Sequence, residues 1–183
     1  ATDLAGVRHK AYETLGSTNA EALALVRAGE RGPLWVTAAS QSAGRGRRNS
    51  TWLSPPGNLH ATLLLTEPSA PALAPQLAFV TALALHDAVA ASGPRLGPLL
   101  KLKWPNDLLL GAAKVAGILI EGESGPIYSV AIGIGVNCAA HPNDAGYPAT
   151  DLASAGASVT PAQLLAALSV AMQRRLEQWQ RGQ

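Results

Sequence analysis

Three arginines and two glycines lie together in one acid-free stretch of the chain. Residues 41–52 read Gln-Ser-Ala-Gly-Arg-Gly-Arg-Arg-Asn-Ser-Thr-Trp and lie between two apolar, strand-like runs. Guanidinium groups bind phosphate and carboxylate oxygens through paired hydrogen bonds, and glycine lets the backbone approach a ligand closely. The stretch therefore predicts a flap that closes over an anionic group. A disordered basic segment that binds RNA is the alternative interpretation.

A second polar group follows the dipeptide Trp104-Pro105. Because proline removes a backbone donor and restricts the chain, Asn106 and Asp107 are expected to project from a rigid corner. There they are suited to bind ribose hydroxyls or a hydrated magnesium ion, although an Asx turn explains the same residues equally well. Lys114 follows a predicted hairpin turn and either reaches into a cleft or is an exposed turn lysine.

The predicted strand 127–138 alternates large apolar residues with small ones. Successive side chains of a strand point to opposite faces, so one face is nearly empty and carries Ser129, Ala131, Gly133, Gly135 and Asn137. Glycine weakens a strand interior unless a ligand or another part of the protein approaches closely. This glycine face is therefore expected to be the floor of a pocket that ends in a polar amide, or else a surface for close helix packing.

Hydrophobic periodicity and capping residues predict the elements that position these groups. Strands are expected at 7–13, 34–39, 58–66, 99–104, 108–110, 115–121 and 127–138, and helices at 20–28, 76–91 and 161–180. Ser17-Thr18-Asn19 and Thr160-Pro161 provide helix N-caps, and residues 139–160 are expected to form a loop. With 183 residues, of which 48% are hydrophobic and 14% charged, the chain is expected to form one α+β domain with a largely antiparallel sheet.

Charge and rare residues exclude several functional classes. The net charge is only +2, and the positive charge is concentrated near the flap and near Lys114, which favours a small anionic ligand over a long polyanion. The single Cys138 cannot form an internal disulfide, so a reducing cytoplasm is expected. The four histidines are far apart, which predicts no transition-metal site. No signal peptide and no apolar run of roughly eighteen residues are evident, so we expect no membrane association.

Four short motifs follow one another along the chain: Gly44-Arg45-Gly46-Arg47-Arg48 with Trp52, Lys103-Trp104-Pro105-Asn106-Asp107, Lys114-Val115-Ala116-Gly117-Ile118-Leu119, and Gly133-Ile134-Gly135-Val136-Asn137. In this order and spacing they resemble the biotin protein ligase family, and Ser17-Thr18-Asn19 and Gln41 match it too. The likeness covers nearly the whole chain, and four motifs in sequence are far more specific than any one of them.

The resemblance implies a fold and a domain organisation. The fold is expected to be of the class II synthetase type, with a mostly antiparallel mixed sheet and helices packed on one side. Residues 1–183 are expected to form a single catalytic domain, without the DNA-binding winged helix or the terminal β-barrel of other members. A role in transcription is therefore not expected.

The resemblance also implies a reaction in two steps. The carboxylate of biotin attacks the α-phosphate of ATP carried with Mg²⁺, and the resulting biotinyl-5'-AMP acylates a specific lysine of a biotin carboxyl carrier protein, such as that of acetyl-CoA carboxylase. We expect no permanently bound cofactor, no binding to DNA and no association with a membrane. The protein could form a homodimer.

Site residues follow from the same resemblance. Catalytic roles fall to Lys114 and Arg47. Biotin is expected to contact Ser17, Thr18, Asn19, Gln41, Gly44, Arg45, Gly46, Arg47, Lys114 and Gly117. The nucleotide is expected to contact Arg45, Arg47, Trp52, Lys103, Asn106, Asp107, Lys114 and Asn137, with Asp107 nearest to magnesium.

The chain also departs from the family pattern. Asn49 and Ser50 stand where members often have a glycine and a basic residue, so one phosphate contact is expected to be missing or supplied elsewhere. The related lipoate or octanoate ligases favour an arginine pair that leads into several glycines, unlike Arg47-Arg48 here, so biotin is preferred. A non-catalytic module that binds biotin or its carrier is the other alternative.

Overall fold

The computed structural model describes residues 6–182, so residues 1–5 and 183 of the expected domain lie outside it. The seven strands are β1 Arg8–Leu15, β2 Leu34–Gln41, β3 Leu59–Thr66, β4 Leu100–Lys103, β5 Asp107–Leu110, β6 Ala113–Glu123 and β7 Ser129–Val136. The three α-helices are α1 Thr18–Arg27, α2 Leu77–Ser92 and α3 Pro161–Gln180. Every strand and helix predicted from the sequence is present, with ends that differ by a few residues.

All seven strands form one sheet in the order β1-β2-β3-β7-β6-β5-β4. Strands β1 and β2 are parallel, and each of the other neighbouring pairs is antiparallel. The parallel pair is joined through α1, as a parallel connection requires a crossover. The predicted mixed and mostly antiparallel sheet is therefore confirmed.

The helices lie on both faces of the sheet. Helices α2 and α3 pack against each other and cover the face that carries the main core, including Trp35 of β2. Helix α1 covers the opposite face, where Ala22 forms a small apolar cluster with Leu34 and Val36 of the same strand. The expectation that the helices pack on one side is wrong for α1, because alternate residues of β2 bury against different helices.

Both predicted helix caps are present. The Ser17 hydroxyl accepts a hydrogen bond from the Ala20 amide, and Gly29 follows α1 with φ of 95°, a conformation that glycine adopts without strain. At α3, Thr160 and Gln163 form a reciprocal capping box. The Ser17 cap sets where α1 begins, and this matters because the first turn of α1 faces the cavity described below.

The segment Pro71–Ser92 forms one long apolar helical stretch, although no uninterrupted apolar run was evident in the sequence. Its 22 residues contain an apolar window of 18 residues with a mean hydropathy of 1.4, which by length and composition alone is enough to cross a membrane. Half of the apolar window is buried inside the fold. Core helices pass the same test, and α2 packs on α3 and on the sheet, so the apolar residues have a structural explanation.

Candidate active site

A cavity of about 760 Å³ lies on the α1 side of the sheet. Its walls come from the start of α1, the flap (residues 41–52), the hairpin formed by β5 and β6, strand β7, and residues 142–147, here called the wall loop. The predicted site residues that line it are Ser17, Thr18, Asn19, Gln41, Arg45, Gly46, Arg47, Trp52, Asn106, Asp107, Lys114, Gly117 and Asn137. Residues more than 100 positions apart in the sequence therefore meet in one place.

Two predicted site residues do not line the cavity. Gly44 packs inside the flap, where an added Cβ would lie 2.5 Å from both the Ser54 hydroxyl and the Trp52 carbonyl oxygen. Lys103 ends the outermost strand β4, and its side chain is exposed to solvent. Gly44 thus allows the flap to fold tightly, and the nucleotide contact of Lys103 stays a prediction.

Buried hydrogen bonds fix the start of α1 against β2 and β3. The Thr18 amide donates to Gln41 Oε1 at 2.8 Å, and the Gln41 amide group donates to the Ser54 hydroxyl at 2.8 Å. The buried Thr62 hydroxyl lies 2.8 Å from Thr18 Oγ1 and 2.7 Å from Asn19 Oδ1. The structure therefore assembles a pocket of rigid donors and acceptors. Thr62 and Ser54 were missed from the sequence because their role comes from partners distant in the chain, α1 for Thr62 and Gln41 for Ser54.

Glu121 of β6 is a further residue that the sequence analysis missed. Its Oε2 atom accepts a hydrogen bond from the Asn19 side chain at 2.8 Å and lies 3.3 Å from Arg45 Nη2. Glu121 shares strand parity with Gly117 and Leu119, both of which line the cavity. An acidic residue on the same strand face as Gly117 is the sequence feature that could have identified Glu121 as a site residue.

The flap is a tight hairpin. Arg45 forms an isolated antiparallel bridge with Thr51, and the Gly46 amide donates to the Ser50 carbonyl at 2.7 Å. Arg48 and Asn49 at its tip have φ of 54° and 59°, a left-handed region that asparagine tolerates better than most residues. This hairpin, whose residues line the cavity, favours the predicted flap over a disordered RNA-binding segment.

Arg47 and Asn106 connect the flap to the corner after β4. Arg47 Nη1 donates to Asn106 Oδ1 at 3.1 Å, while Asn106 Nδ2 donates to the Ile118 carbonyl at 2.9 Å. Asn106 therefore ties the corner to β6 and positions Arg47. The structure thus assigns Asn106 a role in holding the corner as well as a place in the cavity lining.

Lys114 reaches into the cavity, so its interpretation as an exposed turn lysine is wrong. Its Nζ lies 2.8 Å from Asp107 Oδ1, 5.4 Å from the centre of the Trp52 ring and 5.2 Å from that of Tyr147. The side chains of Lys114 and Asp107 are only 18% and 17% exposed. A lysine held by a carboxylate and two aromatic faces keeps its ammonium at a defined point.

The glycine face of β7 supports both interpretations made from the sequence. A Cβ on Gly135 would lie 2.5 Å from Trp52 Cε2 and Nε1, and one on Gly117 of β6 would lie 3.2 Å from the same ring. A Cβ on Gly133 would lie 2.5 Å from Asn19 Oδ1, so α1 also packs closely. The glycines form a cavity floor on which Trp52 rests, and the polar Asn137 lies at its end.

The wall loop was predicted only as part of a long loop, yet it completes the cavity. It contributes Pro142, Asn143, Asp144, Ala145 and Tyr147. Backbone hydrogen bonds hold its far end, because the Lys114 amide donates to the Pro148 carbonyl at 2.8 Å and the Thr150 amide donates to the Lys114 carbonyl at 2.9 Å. Burial, and to a smaller extent the negative charge of Asp107, raise the pKa of the Tyr147 phenol.

Asp151 anchors the segment that follows the wall loop. The buried Asp151 carboxylate accepts hydrogen bonds from the Ser154 amide at 2.6 Å and from His141 at 2.5 Å. Burial on its own raises the pKa of the Asp151 carboxyl, but these hydrogen bonds outweigh it and hold the pKa below its usual value. Within residues 6–182, no three His, Cys, Asp or Glu side chains come together in a way that could hold a metal ion.

Comparison with known proteins gives a consistent result. Residues 16–137 match the Biotin/lipoate A/B protein ligase family. A biotin--[acetyl-CoA-carboxylase] ligase of Paracoccus denitrificans is 47% identical over 168 residues, which cover 86% of this chain and 68% of that protein. A bifunctional ligase/repressor of Bacillus subtilis is 34% identical over 78% of this chain and 44% of its own length.

Solved structures agree with the sequence relatives. The biotin protein ligase of Leishmania major in complex with biotinyl-5-AMP has a TM-score of 0.79 and 28% identity, over 94% of this chain and 76% of that one. The biotin protein ligase of Aquifex aeolicus in complex with biotin and ATP has a TM-score of 0.79 and 26% identity, over 95% of this chain and 72% of that one. Both chains are longer than this one.

Proposed function

This chain belongs to the biotin/lipoate A/B protein ligase family, and we propose that its cavity joins biotin to AMP and then transfers biotin to a lysine of a carrier protein. One observation carries the proposal. One cavity is lined by both the rigid polar pocket at the start of α1 and the positively charged side chains of Arg45, Arg47 and Lys114. A ligand with a polar ring system at one end and an anionic group at the other end fits this division.

The first step joins two anions. A carboxylate oxygen of biotin attacks the α-phosphorus of ATP, a new oxygen–phosphorus bond forms, and pyrophosphate leaves. Both reactants are negatively charged and repel each other, so the step needs fixed positive charge at the point where they meet. Lys114 and Arg47 supply this charge, which is why we assign them the catalytic roles.

The ureido group of biotin is assigned to the α1 end of the cavity. Ser17, Thr18, Asn19 and Gln41 offer hydroxyl, amide and backbone groups there that other residues already hold in position. A buried ureido donor or acceptor left without a partner costs about 1–3 kcal/mol, so a pre-assembled pocket favours biotin over a ligand without that group. Gly46 and Gly117 let the backbone approach the ligand.

The nucleotide is assigned to the opposite end. Trp52, Asn106, Asp107 and Asn137 lie there together with Lys114. Asn49 and Ser50 leave the flap tip without the basic residue common in the family, and Arg48, which also lines the cavity, is placed to supply a phosphate contact instead. The Asn137 side chain donates to the Thr150 carbonyl at 3.1 Å, which keeps its amide oxygen available.

Magnesium fits this site as an ion that arrives with the nucleotide. Mg²⁺ usually binds through one or two carboxylates together with substrate phosphates. Asp107 is a carboxylate at the nucleotide end, and its Oδ1 atom has Lys114 as its ion-pair partner. When bound, the ion neutralises phosphate charge, and Asp107 is the residue that would hold it.

The second step transfers biotin to protein. The amino group of a lysine on a biotin carboxyl carrier protein attacks the carbonyl carbon of the adenylate, a carbon–nitrogen bond forms, and AMP leaves as the amine gives up a proton. We propose acetyl-CoA carboxylase as the source of the carrier, since the Paracoccus relative carries that name. A cytoplasmic location belongs to the same proposal, which also allows a homodimer.

Pyrophosphate release tests the proposed function. Purified protein with ATP and Mg²⁺ is expected to release pyrophosphate when biotin is added, and to label a carrier domain in a second incubation. Release that depends on lipoate or octanoate instead would identify the related ligase activity. Biotin binding without any release would identify a binding module and contradict the proposal.

A further inference from the structure

Glu121 connects the two halves of the cavity. A single carboxylate oxygen, Oε2, receives the Asn19 side chain at 2.8 Å from α1 and lies 3.3 Å from Arg45 Nη2 of the flap. Asn19 is itself fixed, since its side-chain amide also donates to the Leu119 carbonyl at 3.2 Å. Glu121 therefore sits between a rigid element and a flap residue.

The pairing leaves most of Arg45 available to a ligand. A guanidinium group has five donor N–H groups, and the contact with Glu121 occupies one edge of it. The Arg45 side chain is 39% exposed and lines the cavity while it is paired. An arginine that is anchored at one edge loses less conformational freedom when its other donors bind an anion.

We propose that Glu121 is a positioning residue that holds Arg45 over the cavity before the adenylate forms. Only the second test below depends on the proposed function, because it uses the adenylate. In this proposal Glu121 does not contact the substrate. It also links the polar pocket to the flap, because Asn19 and Arg45 share one carboxylate oxygen.

The chain provides a matched control on the same strand. Glu123 lies two residues further along β6, so its side chain points to the same face, and it pairs with Arg27 of α1 at 2.9 Å. Both glutamate side chains are 27% exposed. Glu123→Gln therefore removes an ion pair of the same kind from the same strand, away from the residues that line the cavity.

The first test uses the ligand-free protein and hydrogen exchange of residues 43–51. Glu121→Gln keeps an oxygen that accepts from Asn19 but removes the charge that holds Arg45, so we expect about two- to fivefold faster exchange in the flap. Glu123→Gln is expected to leave flap exchange at the wild-type level. Equal flap exchange in the two variants would overturn the proposal.

The second test is a double-mutant cycle on the dissociation rate of preformed biotinyl-5'-AMP. Glu121→Gln is expected to speed dissociation by about two- to fivefold in the wild-type background and to have no further effect when Arg45→Ala is present. Equal effects in both backgrounds, or slower dissociation in Glu121→Gln, would overturn the proposal. Slower dissociation would mean that Glu121 competes with the ligand for Arg45.

The two failures can be told apart. If the wild-type protein forms no adenylate, the proposed function fails, while the exchange experiment still tests Glu121. If the wild-type protein forms adenylate and the cycle is additive, only the role of Glu121 fails. Glu121→Asp keeps the charge but shortens the side chain, and is expected to reproduce the faster flap exchange even if Glu121→Gln does not fold.

Discussion

The Lys114 ammonium and the Asp107 carboxylate form an ion pair of 2.8 Å across the hairpin of β5 and β6. The pairing of these strands shifts register between Leu108 and Leu109, next to both residues. Such irregularities commonly re-aim side chains beside active sites. The pair holds a cation at a defined point in the lining of the cavity.

Removing the Lys114 charge is expected to slow adenylate formation. Lys114→Ala should lower the rate of biotin-dependent pyrophosphate release by about 100-fold or more, because fixed charge at the reacting centre is worth that much in related cases. Lys101→Ala on the exposed strand β4 is the control and should leave the rate unchanged. Wild-type release by Lys114→Ala would remove its catalytic role.

Arg47 is expected to slow the dissociation of the adenylate from the cavity. Arg47→Gly loses the guanidinium that Asn106 orients and should release preformed biotinyl-5'-AMP at least about tenfold faster, as expected for a charge-assisted hydrogen bond. Arg95→Gly, in an exposed turn, controls for the loss of one positive charge. Identical dissociation rates in the two variants would contradict this role.

Ligand is expected to order the flap. Fixing about ten residues costs roughly 1–2 kcal/mol each in backbone entropy, so residues 43–51 should exchange amide hydrogens faster without ligand than with adenylate. Exchange mass spectrometry with and without biotinyl-5'-AMP measures the difference. Exchange that is equally slow in both states would refute the prediction.

Gly135→Ala is expected to displace Trp52. The added Cβ would lie 2.5 Å from the indole, so the ring must move, at a cost of roughly 1–3 kcal/mol in folding free energy. Denaturant titration and tryptophan fluorescence should both change, and adenylate formation should fall. Gly97→Ala, where the nearest atom would be 3.9 Å away, is the control. A Gly135→Ala protein as stable as Gly97→Ala would contradict the packing argument.

Asp151 is expected to contribute stability that depends on pH. Its pKa is lowered in the folded protein, so its contribution is fully present above its ordinary value of 3.8 and is lost as pH falls through the folded value. Asp151→Asn should therefore lower the free energy of unfolding by about 1–3 kcal/mol at neutral pH, and the difference from wild type should shrink below pH 4. Denaturant titrations across pH measure it, and a constant difference would refute it.

Local signals in the sequence were sufficient for the elements of the fold. The caps at Ser17 and Thr160, and the apolar runs and alternating stretches bounded by glycine and proline, located every strand and α-helix, because these signals act within a few residues. The four motifs identified the family for a related reason, since their residue types and order are properties of the chain itself.

Only the tertiary structure decided which of these residues meet. The sequence left Lys114 open between a cleft and an exposed turn, predicted all helices on one side of the sheet, and missed Glu121 and the wall loop. Each outcome depends on strand pairing and register that join distant segments, as Asn19 and Glu121 are joined across 102 positions. A one-residue shift in register would turn the side chains of a strand to the other face of the sheet, and local sequence patterns do not determine the register between distant strands.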